Sequence, residues 1–230
     1  MTEPRPLATG GMSQSGATTI VKISSPRVPL TDRLLLCPAI CTCKESPDKS
    51  IDGKSLKQAC VSRALMLADK ESGYKSVYKP EINYDMTKHP PAPIMDSRSE
   101  TKGHGFLPAW IKKWWHTPDE QGAQRPAFIP GKRMIRRPDL VIVNDPSKPP
   151  TQDNIRQVVE IKFPPDHWSR DQKDDYAVIA GGEDKLAKLE PDDCSCDRDD
   201  PEAPKVPAPD AKTVAAGAMA LMVLLGLLAF

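Results

Sequence analysis

The N-terminal segment lacks the apolar core of a secretory signal peptide. Its first residues, MTEPRPLATGGMSQSGATT, carry an acid at Glu3 and no apolar run, whereas a signal peptide needs a basic start followed by an apolar stretch. We therefore expect residues 1–29 to be a disordered leader, and we expect any export to use a route without a cleaved signal peptide.

The cysteines lack the paired C-x2-C spacing of the common structural zinc sites. The chain has six of them, at Cys37, Cys41, Cys43, Cys60, Cys194 and Cys196. Since no signal peptide directs the chain to an oxidising compartment, we expect reduced thiols and no structural zinc ion. The alternatives are a zinc site, or disulfides formed after export in which Cys194 and Cys196 bond to the earlier cysteines.

Paired histidines and internal repeats are also absent from the sequence. Of the 4 histidines, His104, His116 and His167 have no spacing typical of a metal site or a catalytic pair. Candidate chemistry must therefore come from other residue types.

Charge and proline are abundant. Charged residues make up 27% and apolar residues 39% of the 230 positions, which suits one soluble domain with tails. The 25 prolines are about twice the usual share and indicate long loops and linkers. Residues 183–202 contain nine acids and three bases, while the rest of the chain has a basic excess. A basic body suits a polyanionic partner, the alternative being ordinary solvated faces.

A long apolar segment is present at the C-terminus. Residues 213–230, TVAAGAMALMVLLGLLAF, contain no charge over 18 positions, and a helix of that length spans roughly 27 Å. This lies just within the range of a membrane span. After an acidic, proline-rich linker at 196–211, we expect residues 212–230 to form a hydrophobic helix that inserts in a membrane or is shielded by a partner. Packing in the core is the alternative.

Upstream, hydrophobic spacing predicts one clear helix. Leu56, Cys60, Ala64 and Leu67 recur at helical spacing, and Gly73 ends the pattern. The preceding apolar stretch, residues 28–46, is interrupted by Pro38, so we expect it to be short and broken.

The segment WIKKWWH at 110–116 interleaves tryptophans with lysines. One interpretation is a patch that contacts nucleic acid or membrane, since aromatic faces stack on bases while lysines meet phosphates. The interpretation we favour is a short helix whose tryptophans anchor a long loop.

Two apolar runs, RRPDLVIV and RQVVEIKF, enclose the turn-rich segment NDPSKPPTQDNI. This pattern predicts a β-hairpin with an extended loop. A helix is then expected at 170–180, between a capping Ser169 and two glycines. Its spacing places three side chains on one face: Gln172, Tyr176 and Ile179.

The second strand of this hairpin carries an acid and a base. In VVEIKFPP, Glu160 and Lys162 project from one side of an extended chain, while the apolar neighbours project from the other. Taken alone, this is more often a surface ion pair. Asp139, at the start of the first strand, would converge on the same end of the sheet if the strands pair.

Two carboxylates held together favour a cation between them. We expect Asp139, Glu160 and the backbone carbonyl of Ile161 to bind Mg²⁺ or Mn²⁺, which prefer hard oxygen ligands. Lys162 would stabilise charge on phosphate oxygens or orient the attacking water. Four cations just before Asp139 are the expected phosphate-binding residues: Lys132, Arg133, Arg136 and Arg137.

Pro138-Asp139 followed by Glu160-Ile161-Lys162 resembles the PD-(D/E)xK motif of the restriction-endonuclease-like nucleases. The basic residues before Pro138 and the glutamine at 172 resemble the VRR-type branch, in which a glutamine on the helix after the E-x-K strand joins the active site. The chain is most similar to the VRR-like nuclease toxins that bacteria deliver through type VI secretion. The resemblance covers about residues 132–190, more weakly 74–95, and neither the leader nor the tail.

This resemblance implies an α/β fold with a restriction-endonuclease-like core, in which a central mixed sheet is flanked by helices, over residues 30–195. It implies catalytic roles for Asp139, Glu160, Lys162 and Gln172, with Tyr176 a further candidate for phosphate contact. Related nucleases often add an acid from a helix before the sheet. Here Asp69 and Glu71 compete with Glu81 for that role and for a place among the metal ligands.

The implied function is Mg²⁺-dependent cleavage of double-stranded DNA by an antibacterial toxin. Its partners would be a cognate immunity protein, a secretion apparatus or chaperone, and a membrane at residues 213–230. The chain would be cytoplasmic in the producer and act in the cytoplasm of the target cell. The alternatives are a housekeeping, structure-specific repair nuclease and a non-catalytic, membrane-anchored binding protein.

Overall fold

The computed structural model describes residues 27–118 and 122–196. Within these residues the helices are α1 (Leu30–Glu45), α2 (Lys57–Glu71), α3 (Leu107–Trp114) and α4 (Arg170–Ala180). Two 3-10 turns follow α4, at Glu183–Lys185 and Pro191–Cys194. Most of the predicted leader and linker, and the whole hydrophobic tail, lie outside the described residues.

The strands are short. They are β1 (Asp48–Lys49), β2 (Ser55–Leu56), β3 (Tyr78–Pro80), β4 (Tyr84–Asp85), β5 (Ala92–Pro93), β6 (Met95–Asp96), β7 (Ser99–Gly103), β8 (Ile135–Arg136), β9 (Leu140–Val143), β10 (Ile155–Ile161) and β11 (Leu186–Leu189).

A four-stranded mixed sheet forms the centre, in the order β11-β10-β9-β3. The predicted hairpin is confirmed, because β9 and β10 pair antiparallel with Leu140 opposite Val159. β11 then pairs parallel to β10, after α4 has crossed back over one face of the sheet. The predicted α4 is also confirmed, with Ser169 accepting a hydrogen bond from the Gln172 backbone N–H and Gly181 ending the helix at a φ of 85°.

Both faces of the sheet are covered by helices. On one face, alternate side chains such as Leu140, Val159 and Ile161 pack with α1 and α2. On the other, Val141 and Val158 pack with α4. This arrangement of helix, sheet and helix confirms the predicted α/β architecture with a central mixed sheet.

Helix α1 differs from the sequence expectation. It runs through Pro38 without ending, although proline removes one backbone hydrogen bond. Tertiary contacts compensate, because Leu36 and Ile40 are fully buried and the cysteines on either side of Pro38 are tied to the C-terminal 3-10 turn.

The prediction of reduced cysteines was wrong for this structure. The six cysteines form three disulfides: Cys37–Cys194, Cys41–Cys196 and Cys43–Cys60. The structure has the alternative, in which Cys194 and Cys196 bond to earlier cysteines. The sequence pattern left the pairing open, because partners 155 and 157 residues apart are brought together by tertiary packing. The predicted absence of zinc is not tested by the disulfides.

Helix α2 forms as predicted but buries a different face. Its buried apolar residues are Cys60, Val61 and Leu65, whereas Leu56 and Leu67 are 39% and 42% exposed. Cys60 belongs to both sets. Packing with α1 and the sheet buries Val61 and Leu65 in place of Ala64 and Leu67.

The tryptophan segment folds as the loop anchor that we favoured. Trp115 is fully buried, donates its indole N–H to the carbonyl of Pro126 at 2.7 Å and lies 4.9 Å from the ring of Phe128.

In the described part of the chain, no helix has the length and apolar character that a membrane crossing needs.

Candidate active site

The pairing of β9 and β10 brings the predicted acids to one end of the sheet. Asp139 directly precedes β9, and its carboxylate accepts a hydrogen bond of 2.8 Å from the backbone N–H of Ile161. Leu140 lies opposite Val159 in this antiparallel pair. One residue further toward this end of the sheet, Asp139 and Glu160 therefore lie opposite each other. The predicted convergence of the two carboxylates is therefore found.

Glu160 is almost completely buried, with 1% of its surface exposed. Its Oε1 atom accepts from Lys162 Nζ at 2.6 Å and from Gln172 Nε2 at 2.6 Å. Its Oε2 atom is buried and has no hydrogen-bond partner among the described residues. One carboxylate oxygen is therefore held in place while the other remains without a protein donor.

Burial and charge repulsion act on both carboxyl groups. Burial, and then the neighbouring charges of Glu160 and Glu81, raises the pKa of Asp139 to about 7, against the hydrogen bond from Ile161. Burial also raises the pKa of Glu160, and Lys162 and Gln172 oppose that rise. Two acids that resist joint ionisation mark a position where a cation would be stabilised.

Helix α4 delivers the glutamine that the sequence predicted. Gln172 lies one turn before Tyr176, and its Nε2 atom donates both to Glu160 and, at 3.2 Å, to the Tyr176 hydroxyl. Tyr176 in turn donates to the backbone carbonyl of Arg137 at 2.8 Å. Tyr176 is only 4% exposed and links α4 to the approach of β9. Its contact with phosphate stays a prediction.

The structure brings Glu81, rather than Asp69 or Glu71, next to Asp139. The backbone N–H of Glu81 donates to the carbonyl of Asp139 at 3.1 Å. Its carboxylate accepts from Ser62 Oγ at 2.6 Å and pairs with Arg137 at 2.6 Å. Asp69 is instead buried in an ion pair with Lys79 at 2.9 Å. The role of Glu81 as a metal ligand stays a prediction.

Sequence reasoning missed Gln58 on α2. Its Nε2 atom donates to the backbone carbonyl of Ile161 at 2.6 Å, the carbonyl expected to bind the metal. A carbonyl oxygen has two lone pairs, so this bond leaves one acceptor direction. No local signal marks Gln58, since only the packing of α2 across the sheet end brings it there.

The predicted phosphate-binding cations are mostly paired with acids. Arg133 and Arg136 both pair with Asp175 on α4, and Arg137 pairs with Glu81. Lys132 is exposed and forms no ion pair with the described residues. The surface arginines are therefore organised along α4 and β3, and a phosphate contact would compete with these acids.

The donor atoms fit the expected ion. Two carboxylates and one carbonyl are hard oxygen donors, and Mg²⁺ typically takes one or two carboxylates plus water and substrate oxygens. The unpartnered Oε2 of Glu160 is the observation that supports this fit. Among the described residues, no group of three or more His, Cys, Asp or Glu side chains could hold a metal, so the protein's own carboxylates supply only part of a coordination shell.

Comparison with known families decides the class of this site. Residues 91–185 match the model of the VRR-NUC domain. The chain carries a VRR-NUC domain. The matched range contains Asp139, Glu160, Lys162 and Gln172, and it confirms the predicted PD-(D/E)xK-like, VRR-type nuclease domain. Neither the curated proteins nor the solved structures contain a match to the chain.

The VRR-NUC match is shorter than the folded unit. It ends at residue 185 and begins at residue 91, so β11 and β3 of the central sheet lie outside it. Glu81 and Gln58, which both contact the ends of β9 and β10, also lie outside it. The segments on either side of the domain therefore complete its sheet and its candidate active site.

Proposed function

We propose that this VRR-NUC protein is a Mg²⁺- or Mn²⁺-dependent endonuclease that hydrolyses phosphodiester bonds in double-stranded DNA. The observation that carries the proposal is the buried Glu160 carboxylate, whose Oε2 has no protein partner, beside Asp139 in a nuclease domain. A structural ion pair alone would use both oxygens of such a deeply buried carboxylate.

The proposed roles follow from the contacts of each side chain. Asp139, Glu160 and the Ile161 carbonyl would hold the ion, which would supply Lewis-acid chemistry for the hydrolysis of a phosphodiester. Lys162, whose Nζ atom lies 2.6 Å from Glu160 Oε1, stabilises charge that builds on phosphate oxygens. Gln172 and Gln58 are positioning residues. Gln172 donates a hydrogen bond to Glu160, and Gln58 donates one to the Ile161 carbonyl.

Plasmid cleavage with purified protein tests this assignment. Asp139→Asn removes one ligand charge with little change of shape, and it should reduce Mg²⁺-dependent cleavage by at least about a hundredfold, the size of effect seen when a preorganised electrostatic group is lost. Asp174→Asn makes the same chemical change at a carboxylate on α4 that is 58% exposed, and it should cleave like wild type.

The result that would overturn the proposed site is equal cleavage by wild type and Asp139→Asn. Cleavage that persists in chelator would overturn the metal requirement. Binding of DNA without cleavage at any divalent ion concentration would favour the non-catalytic binding protein.

We further propose that the nuclease is an antibacterial toxin delivered by type VI secretion and neutralised by a cognate immunity protein. The resemblance of residues 132–190 to such toxins supports this. The three disulfides fit a protein that passes through an oxidising compartment during its delivery, since disulfides form and persist mainly there. A secretion apparatus or chaperone, and membrane contact through residues 213–230, belong to the same proposal.

Expression in a bacterium that lacks the immunity protein separates the toxin from a repair nuclease. Wild type should stop growth and degrade the chromosome, whereas Asp139→Asn at equal protein level should not. Normal growth with active wild-type nuclease in the cell would sink the toxin assignment while leaving the nuclease assignment intact.

A further inference from the structure

A cleft of about 340 Å³ opens beside the candidate active site. It lies between α2, the segment that joins β3 to β4, and the end of β7. Glu81 connects the cleft to the site, since its side chain lines the cleft while its backbone N–H donates to the carbonyl of Asp139. A ligand in the cleft would therefore lie next to a phosphate held at Asp139 and Glu160.

The wall of the cleft formed by α2 is apolar. Met66 and Leu67 line it and are 44% and 42% exposed, and the buried Ile82 also lines the cleft. These are the α2 residues that do not pack into the core. Exposed apolar side chains gathered in a concave site are typical of a ligand-binding surface.

The floor of the cleft carries an unused amide. Asn83 lines the cleft and is only 7% exposed, yet its side chain makes no hydrogen bond with any described residue. An asparagine amide offers a donor and an acceptor side by side, which matches the edge of a nucleobase.

The rim of the cleft carries charged side chains. Four cations and two acids line it, namely Arg63, Lys70, Lys102, Arg137, Asp69 and Glu81. Lys70, at the end of α2, is exposed and has no ion pair among the described residues. The other three cations are paired with acids, Arg63 with Asp48, Lys102 with Asp96 and Arg137 with Glu81. Lys70 is therefore the cation of the rim that is left to meet the phosphate of a nucleotide.

We propose that this cleft receives one unpaired nucleotide of the DNA substrate, beside the scissile phosphate. The base lies against Met66 and Leu67 with its edge on the Asn83 amide, and its phosphate lies near Lys70. A base stacked in a duplex cannot reach a concave pocket, so only a base that is unpaired or extruded enters it. The proposal rests on the proposed function, because it names the form of DNA that the nuclease prefers.

Binding in the presence of chelator tests the proposal without cleavage. Two fluorescein-labelled duplexes of equal length are compared by anisotropy, one fully paired and one with a single unpaired adenine. Wild type should bind the second about tenfold more tightly, since a good amide-to-adenine contact is worth about 1–3 kcal/mol. Asn83→Leu should bind the two duplexes equally. Lys70→Glu should weaken binding to the unpaired form, whereas the control Lys148→Glu, at an exposed loop lysine, should keep the preference.

A thermal melt of the same proteins separates binding from folding. Because the Asn83 side chain bonds to no described residue, Asn83→Leu should melt at or above the wild-type temperature. Equal binding of both duplexes by wild type, or an unchanged preference in Asn83→Leu and Lys70→Glu, would overturn the proposal. Should Asn83→Leu fail to fold, Lys70→Glu against Lys148→Glu decides the question.

The cleavage assay keeps the two proposals apart. A wild type that cuts plasmid DNA but shows no preference for the unpaired form refutes the cleft and leaves the nuclease. A wild type that prefers the unpaired form but cuts nothing with Mg²⁺ refutes the nuclease and leaves the cleft as a nucleotide site.

Discussion

At the scale of single residues, Glu160 and Lys162 are both an ion pair and part of the candidate site. The two oxygens of Glu160 divide these roles. Oε1 is fixed by Lys162 and Gln172, which orients the carboxylate, and Oε2 is left without a protein partner. In a surface salt bridge, both carboxylate oxygens would be hydrated. The burial of Glu160 therefore distinguishes an active-site residue from a surface ion pair.

The raised pKa of Asp139 predicts how stability depends on pH in chelator. The folded-state pKa of about 7 lies above the ordinary value of 3.8, so the contribution of Asp139 to the free energy of unfolding is complete below about pH 4 and is lost as pH rises through 7. We expect wild type to lose stability between pH 4 and 8 relative to Asp139→Asn, measured by urea unfolding. Parallel pH profiles for the two proteins would contradict the raised pKa.

Gln172 should control metal affinity more than folding. It is a positioning residue that acts on Glu160, and loss of such a contact typically weakens metal binding about 10- to 100-fold. We expect Gln172→Met to raise the Mg²⁺ concentration needed for half-maximal cleavage by that factor, with little change in cleavage at saturating Mg²⁺.

A matched control for this change exists near the same helix. Gln152 donates to the Val178 carbonyl of α4 at 2.7 Å, away from the carboxylates. Gln152→Met should leave the Mg²⁺ requirement unchanged. A purely structural role for Gln172 would instead be indicated if both variants lowered the melting temperature and neither altered the Mg²⁺ titration.

At the scale of elements, α2 is held in place from both sides. Gln58 and Ser62 bond to the sheet end at Ile161 and Glu81. Cys60, between them in sequence, joins α2 to α1 through its disulfide with Cys43. The position of two side chains at the candidate site therefore depends on a covalent link on the opposite side of the helix.

Removing this link should affect stability and activity together. The disulfide Cys43–Cys60 closes a loop of 17 residues, for which the entropy of loop closure contributes about 3 kcal/mol. The double change Cys43→Ala with Cys60→Ala should lower the free energy of unfolding by about that amount, measured with guanidinium, and should slow cleavage because Gln58 is less well held. Full cleavage activity with an unchanged unfolding curve would show that the packing of α2 suffices without the disulfide.

At the scale of the whole molecule, two disulfides connect the two ends of the folded unit. Cys37–Cys194 and Cys41–Cys196 have sequence separations of 157 and 155 residues. Both join α1 to the C-terminal 3-10 turn or to the residues just after it, so they close nearly the same loop. Together they hold the covering helix of one sheet face to the chain that follows β11.

Because the two bridges close one loop, their effects should not add. Removing either pair to alanine should cost little, since the other bridge still closes the loop, whereas removing both should cost about 5 kcal/mol. A double-mutant cycle of unfolding free energies measures this. Equal and additive losses for the two pairs would show that each bridge stabilises its own local contacts instead.

Much of the site was determined by the sequence alone. The alternation in VVEIKF, the cap at Ser169 and the glycine at 181 are local signals. Each depends only on residues that are neighbours in sequence, so it can be read without the tertiary structure. They predicted β9, β10 and α4, and with the hairpin the meeting of Asp139, Glu160 and Lys162. The place of Gln172 in the site was predicted from the resemblance to the VRR-type nucleases.

Only the tertiary structure decided the rest. It chose the disulfide partners, carried α1 through Pro38, selected the buried face of α2, and brought Glu81 and Gln58 to the sheet end. Gln58 and Ile161 are 103 residues apart in sequence, and no local pattern reports a contact at that distance. Such contacts depend on how the helices pack over the completed sheet, and packing is a property of the whole fold.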